Sequence, residues 1–359
     1  MAVTERRIEA VVERCDDAEL DALLVTDLTN VRYLSGFTGT NGLVVVGGVL
    51  RLFISDFRYT QQARQQVKGL ERIQAERDLF RELRKQLGQR RLRLGFDDQN
   101  LTVKQHAQLR ELLPEAIELV PAGGIVQAVR AVKSRGELER IAAAAELADS
   151  ALEAVLKRGV VGRRECDVAL ELEVEMRELG ADGISFPPIV AAAERGALPH
   201  AEPSEHKIPR NTLLVLDYGA KLDGYCSDCT RTVATGEIEA EARSVYELVL
   251  RAQTTALAAV QPGVRGREVD AVAREIIDAA GFGDKFGHGL GHGVGLEVHE
   301  GPTLSARGEQ ELQRGNVVTV EPGIYIARNF GVRIEDLVVV GADGPRVLST
   351  LSKTLRIVS

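Results

Sequence analysis

Two kinds of apolar spacing alternate along the first third of the chain. Short runs rich in aliphatic residues at Ala22 to Val25, Leu43 to Val46, Leu50 to Ile54 and Arg93 to Phe96 predict strands. Apolar positions three and four apart predict helices over Glu5 to Glu13, Thr60 to Lys68 and Leu79 to Leu87. Strands interleaved with helices indicate an α/β domain spanning residues 1–125. Pro121-Ala122-Gly123-Gly124 then breaks the pattern, and an alanine-rich helix beginning near Gly136 to Glu139 opens a second domain, 126–359.

The second domain contains an internal repeat. Gly162-Arg163-Arg164-Glu165-Cys166-Asp167-Val168 is echoed 103 residues later by Arg265-Gly266-Arg267-Glu268-Val269-Asp270-Ala271. After the second copy, Val269, Val272, Ala273, Ile276, Ile277 and Ala280 keep helical spacing. That assigns a helix to both copies, although Leu170, Leu172, Val174 and Met176 alone alternate as a strand would. Each half then ends in a β-hairpin carrying two acids. Asp217 and Asp228 lie on Leu213 to Ala220 and Tyr225 to Ala234, around the turn pair Asp223-Gly224. Glu321 and Glu335 lie on Val317 to Ile326 and Val332 to Val340, around Arg328-Asn329-Phe330-Gly331.

An ionised carboxylate inside an apolar strand needs a counter-charge. Ion pairs with Arg231 and Arg333 are one solution. Two divalent cations are another, and four acids at duplicated positions, facing one another across the repeat, favour it. A histidine joins them. In Phe286-Gly287-His288-Gly289-Leu290-Gly291-His292-Gly293-Val294-Gly295 every odd position from 287 to 295 is glycine, which excludes a stable helix and predicts an extended segment. The glycine face predicts close approach of another backbone or of a ligand. His288 and His292 share the other face, and five of the six histidines fall between residues 200 and 299.

Composition limits the remaining choices. The chain has 359 residues, 44% hydrophobic and 27% charged, an ordinary balance for globular domains. A net charge of -8 with interspersed basic residues argues against nucleic-acid binding. The amino terminus leads into an amphipathic pattern and no apolar run is long enough to span a bilayer, so no signal peptide, no membrane partner and a cytoplasmic location are expected. Cys226 and Cys229 form a C-x-x-C, but in a strand positions three apart face opposite sides. With no second such pair in the sequence, buried thiols are expected there and not a zinc site.

Ala197-Leu198-Pro199-His200, Leu216-Asp217-Tyr218-Gly219, Cys226 to Thr232, Gly291 to Glu300, Val320-Glu321-Pro322-Gly323 and Val332 to Asp336 resemble the M24 pita-bread metallopeptidases, closest to the Xaa-Pro dipeptidases (prolidases) and aminopeptidase P. Phe37 to Gly42 and Ser55 to Tyr59 resemble that group's N-terminal domain, with a lean toward aminopeptidase P. The resemblance implies a creatinase-type α/β N-terminal domain followed by an α+β pita-bread catalytic domain with pseudo-twofold duplication. It also implies a site for two divalent metal ions. Asp217 would bind one, His292 and Glu321 the other, and Asp228 and Glu335 both. His200 and His299 would assist catalysis beside the scissile amide, with Arg333 and His288 lining the substrate pocket. Oxygen-rich ligation favours Mn(II), with Co(II), Zn(II) and Fe(II) as alternatives.

Two-metal chemistry activates water near neutral pH and polarises a carbonyl. The implied reaction is hydrolysis of the Xaa-Pro bond in dipeptides or short peptides, with Glu321 shuttling the proton. The family also implies a homodimer in which one N-terminal domain limits access to the partner's site. Ala192-Ala193 stands where the family often has Ser-Gly, and Leu290 where Thr is common. Strand alternation places His299 opposite His292, so a shared pocket requires a bulge or bend between them. Two other readings compete. A non-catalytic binding module is expected to lack ligands, and this chain keeps all five. Creatinase-like or methionine-aminopeptidase-like cleavage of another C–N bond is disfavoured by the ligand set and the N-terminal domain respectively.

Overall fold

The computed structural model describes residues 3–359, which fall into two compact units divided between Arg130 and Ala131. The first unit is built on a six-stranded sheet of β1 (Ala22–Val25), β2 (Gly42–Gly47), β3 (Arg51–Asp56), β4 (Glu71–Ala75), β5 (Leu92–Phe96) and β6 (Ile117–Pro121). Its order is β4-β3-β2-β1-β5-β6, with β2 antiparallel to both neighbours and the other pairs parallel. Apolar periodicity misses the helices Leu28–Ser35 and Val103–Leu112. Asp27 and Thr102 cap their first turns, so polar side chains and tertiary packing define them where an apolar stripe is weak.

In the second unit each half puts two helices over its own sheets. Arg135–Lys157 and Glu165–Glu178 share a core with the sheet β12-β9-β8, made of β8 (Ile189–Ala192), β9 (Leu213–Tyr218) and β12 (Cys229–Ala234). A smaller sheet joins β7 (Gly183–Ile184), β10 (Ala220–Leu222) and β11 (Tyr225–Cys226). Ala240–Ala258 and Gly266–Ala279 pack in the other half on β13 (Gly291–Gly293), β14 (Glu300–Leu304), β15 (Val317–Val320) and β18 (Asp336–Val340), with β19 (Pro345–Val347) at the edge. The pair β16 (Gly323–Ile326) and β17 (Phe330–Arg333) completes it. The helix Glu165–Glu178 resolves the strand-like stretch. Val168, Leu172 and Met176 are buried, whereas Leu170 and Val174 are 62% and 43% exposed.

The hairpins differ from continuous two-stranded ribbons, and the interruptions matter. Asp228 lies between β11 and β12, Glu321 between β15 and β16, and Glu335 between β17 and β18, while Asp217 lies one residue before β9 ends. Asp223 and Gly224 both take positive φ, 49° and 81°, at the tip of the first hairpin. The hairpins meet side by side. Arg333 N donates to Thr232 Oγ1 at 3.1 Å and Glu335 N to the Thr230 carbonyl at 3.1 Å.

The glycine-histidine segment is extended over a shorter length than its spacing predicts, since only Gly291–Gly293 forms a strand. A Cβ on Gly291 would collide with the Thr319 carbonyl and one on Gly293 with the Gly301 carbonyl, while Gly287 faces open space. Register against β14 shifts between Gly291 and Gly293, and the chain then turns back through residues 294–299.

Candidate metal centre

The interrupted hairpins and β13 bring four carboxylates and one imidazole together. Single oxygens of Asp217, Asp228 and Glu335 lie within 4.8 Å of one another. His292 Nε2 lies 3.5 Å from Asp228 Oδ2 and 3.3 Å from Glu321 Oε1, which joins the remaining two residues to the set. Hydroxyls fix their orientation. Thr230 Oγ1 donates to Glu335 Oε2 at 2.7 Å, and Thr319 Oγ1 donates to Glu321 Oε1 at 3.0 Å while accepting from His292 N at 3.0 Å.

Arg333 is buried among them, and its ion pair realises part of the simpler alternative. Its Nη2 donates to Asp217 Oδ2 at 2.6 Å, Nη1 to Tyr325 Oη at 2.9 Å and to the Pro199 carbonyl at 3.1 Å, and Nε to Thr230 Oγ1 at 3.0 Å. Arg231 pairs with none of the four acids. Its partner is Asp336, at 2.9 Å.

One guanidinium and one imidazole cannot balance four carboxylates. Burial pushes the Asp217 carboxyl up against the opposing charge of Arg333. Burial, with neighbouring Glu335 and Asp217, pushes Asp228 well up, and burial with Glu321 and Asp217 does the same to Glu335. Glu321 is the exception. Burial opposes its ionisation, but the hydrogen bond and charge of His292, aided by Arg333, bring it down to about 2. The His292 imidazole rises correspondingly: burial disfavours its charge, and Glu321 outweighs that. Asp217 Oδ1 and Glu335 Oε1 are buried with no hydrogen-bond partner. Buried acceptors of this kind, on acids displaced toward protonation by burial, suit divalent cations. By this test the residues fit two such ions.

A cleft of about 440 Å³ opens onto the cluster. Asp217, Asp228, His292, Glu321 and Arg333 line it, as do His200, His288 and His299, while Glu335 lies beneath. The turn after β13 brings His299 beside His292, with ring centroids 4.2 Å apart, so strict alternation does not extend that far. Burial lowers the pKa of both His288 and His299. Tyr325, absent from the sequence reading, accepts Arg333 and bonds His288 Nε2 at 2.9 Å. Its place four residues after Glu321 is the one signal the sequence offers, since strand alternation puts positions four apart on the same face. Phe186, Pro187, Pro188 and Ile189 form an apolar wall likewise absent from that reading.

Ala192 and Leu290 are fully buried, and Ala193 adopts a left-handed backbone with φ of 52°. All four cysteines are unpaired. Among the described residues no helix is long and apolar enough to cross a membrane.

Residues 139–342 match the metallopeptidase family M24, and residues 7–132 match the creatinase/prolidase N-terminal domain. The chain belongs to metallopeptidase family M24. It is 33% identical to a Xaa-Pro dipeptidase of Pyrococcus horikoshii, over 99% of this chain and 100% of that protein. Among solved structures, a Xaa-Pro dipeptidase from Bacillus anthracis is 39% identical with a TM-score of 0.96, covering 99% of this chain and 100% of that one. An X-Pro aminopeptidase from Thermotoga maritima is 35% identical with a TM-score of 0.88, covering 96% and 100%. The creatinase-type domain followed by a pita-bread domain is therefore the architecture of this chain, and the M24 assignment implies divalent metal ions at the carboxylate cluster.

Proposed function

We propose that this protein is a metal-dependent Xaa-Pro peptidase that hydrolyses the bond preceding proline, with Xaa-Pro dipeptides as its principal substrates. The observation that carries this reading is the convergence of Asp217, Asp228, His292, Glu321 and Glu335, with orphaned acceptors, at the floor of one cleft. The full-length Xaa-Pro dipeptidase relatives support it. Asp217 would hold one ion, His292 and Glu321 the other, and Asp228 and Glu335 both. Carboxylate-dominated ligation favours Mn(II). When bound, such ions act as Lewis acids and lower the pKa of water toward roughly 7.

The side chains divide the remaining work. Glu321, the one acid of the cluster held ionised, accepts a proton from the attacking water and delivers it to the imino nitrogen, so that proline leaves as a secondary amine. His200 and His299 line the cleft and donate hydrogen bonds to charge developing on the scissile carbonyl oxygen. His299 does so as a neutral imidazole, since burial disfavours its cation. Arg333 and His288, joined through Tyr325, form the wall that meets the proline side of the substrate.

A homodimer in the cytoplasm belongs to the same reading. The Thermotoga likeness and the segments Phe37 to Thr40 and Asp56 to Tyr59 keep aminopeptidase activity as the second reading. Kinetics on Xaa-Pro dipeptides, Xaa-Pro-Yaa tripeptides and Xaa-Ala controls decide between them. Dipeptide-restricted cleavage is expected, comparable tripeptide turnover would make it an aminopeptidase, and equal turnover of alanine controls would reject proline specificity.

A further inference from the structure

Behind the carboxylate cluster, on the side away from the cleft, lies a second polar group that the proposed chemistry does not use. Asp149, on the helix Arg135–Lys157, is 2% exposed. Its Oδ1 accepts from Tyr218 Oη at 2.6 Å. Its Oδ2 accepts from the carboxyl-terminal tail: from Thr350 N, from Thr350 Oγ1 at 2.8 Å and from Leu351 N at 3.2 Å. Arg231 grips the same stretch of tail, Nε and Nη2 donating to the Leu351 carbonyl at 3.1 and 2.7 Å. Its Nη2 also meets Asp336 Oδ1 at 2.9 Å, and its Nη1 donates to the backbone carbonyl of Glu335. Lys353 completes the group, bonding Asp336 Oδ2 at 2.5 Å and Gln253 Oε1 at 2.8 Å.

Two acids and two bases thus balance in an apolar interior where ion pairs give weak net stability compared with hydrophobic packing. What they add is direction. Apolar strands tolerate a small slide, whereas a guanidinium fork loses its bonds within a fraction of an ångström. Each arm ends next to a residue of the cluster: Tyr218 follows Asp217 in the chain, and Arg231, on the first hairpin, holds Glu335 on the second by its own carbonyl. The acids come from segments more than a hundred residues apart, and both arms are referred to Thr350 and Leu351.

We propose that Arg231 and the Tyr218–Asp149 pair are positioning residues that tie the acids of the two hairpins to one stretch of the tail and so fix the separation needed to hold two ions. This rests on the metal-binding reading above. The test is calorimetric titration of Mn(II) into metal-stripped full-length protein, comparing wild type with Arg231→Lys, which keeps the charge but loses the fork, and Tyr218→Phe, which removes one hydroxyl. Titrations are run at a temperature where circular dichroism shows each stripped protein folded.

Each variant is expected to weaken binding of at least one ion by about 10-fold or more, the usual scale for groups supporting metal ligands. A purely structural role would lower the metal-free melting temperature and leave the dissociation constants in place. Unchanged constants in the folded variants overturn the proposal, and Tyr218→Phe decides alone if Arg231→Lys does not fold. Wild type that takes up no Mn(II) overturns the metal-binding reading and this inference with it, whereas wild type binding two ions with variants unaffected overturns only the inference.

Discussion

At the scale of single residues, the cluster holds more negative charge than its protein partners neutralise, and that imbalance gives each proposed ligand a measurable signature. Glu335→Ala removes a buried carboxylate whose ionisation burial disfavours. The metal-free variant is therefore expected to melt at or above the wild-type temperature, while the rise in melting temperature on adding Mn(II) shrinks. Differential scanning calorimetry with and without metal reads both effects, and an undiminished metal-induced rise rejects Glu335 as a ligand. The histidines separate in the same way. His292→Ala is expected to lower metal content by mass spectrometry. His299→Ala and His200→Ala are expected to keep metal and lose about 10²–10³-fold in turnover, the scale for one transition-state donor. Metal loss in His288→Ala with retention in His292→Ala would reverse the assignment of the two imidazoles.

At the scale of elements, three of the four acids occupy breaks in the ladders, while Asp217 lies within β9. Leaving Asp228, Glu321 and Glu335 outside the named strands frees their backbones to aim the carboxylates inward. Close backbone approach holds the flanking elements, most visibly where Gly291 meets the Thr319 carbonyl and so seats His292 beside Glu321. Ala193 is a local exception, a residue with a Cβ held at φ of 52°. The left-handed region costs an L-residue roughly 1–2 kcal/mol, and glycine returns about 0.5–1 kcal/mol of that as unfolded-state entropy. Ala193→Gly is therefore expected to stabilise the protein by about 0.5–1 kcal/mol in urea unfolding. A destabilised variant would mean that the methyl packing outweighs the backbone strain.

At the scale of the whole molecule, the carboxylates make stability depend on pH and metal together. The pKa values of Asp217, Asp228 and Glu335 are raised in the folded protein, so the fold binds their protons more tightly than the unfolded chain does. Their contribution is fully present below the unfolded carboxylate range near about 4, and is lost as pH rises through the raised values. Glu321 acts oppositely. Its stabilisation is present above its unfolded value and is lost as pH falls toward about 2. Metal-stripped protein is expected to melt lower at about pH 8 than at about pH 5, and Mn(II) to remove most of that difference at the higher pH. A melting temperature independent of pH in the stripped protein would count against the burial of unneutralised acids. Light scattering on the full-length chain tests the proposed homodimer, and a monomer mass at micromolar concentration would reject it.

The sequence determined which residues form the cluster of four carboxylates and one imidazole, because acids in apolar strands, a glycine-alternating histidine segment and a repeat offset of about one hundred residues are all local patterns. It also determined most first-unit strands with their boundaries near those observed, since β1 and β5 are marked by their own apolar runs. The strands β4 and β6 escaped it: β4, Glu71-Arg72-Ile73-Gln74-Ala75, is largely polar, and the apolar run of β6 is interrupted by Glu118 and ends at Pro121, so that pairing to neighbours defines both.

Only the tertiary structure decided the rest. Arg333 makes four side-chain hydrogen bonds, one of them to Asp217, Tyr325 links it to His288, and His299 returns beside His292 after a shift in register. Asp149, Arg231 and the tail meet across separations of more than one hundred residues. A sequence shows periodicity and residue type. Which buried donor reaches which acceptor depends on how the chain folds back, and burial converts that geometry into shifted pKa values, orphaned oxygens and a site suited to metal ions.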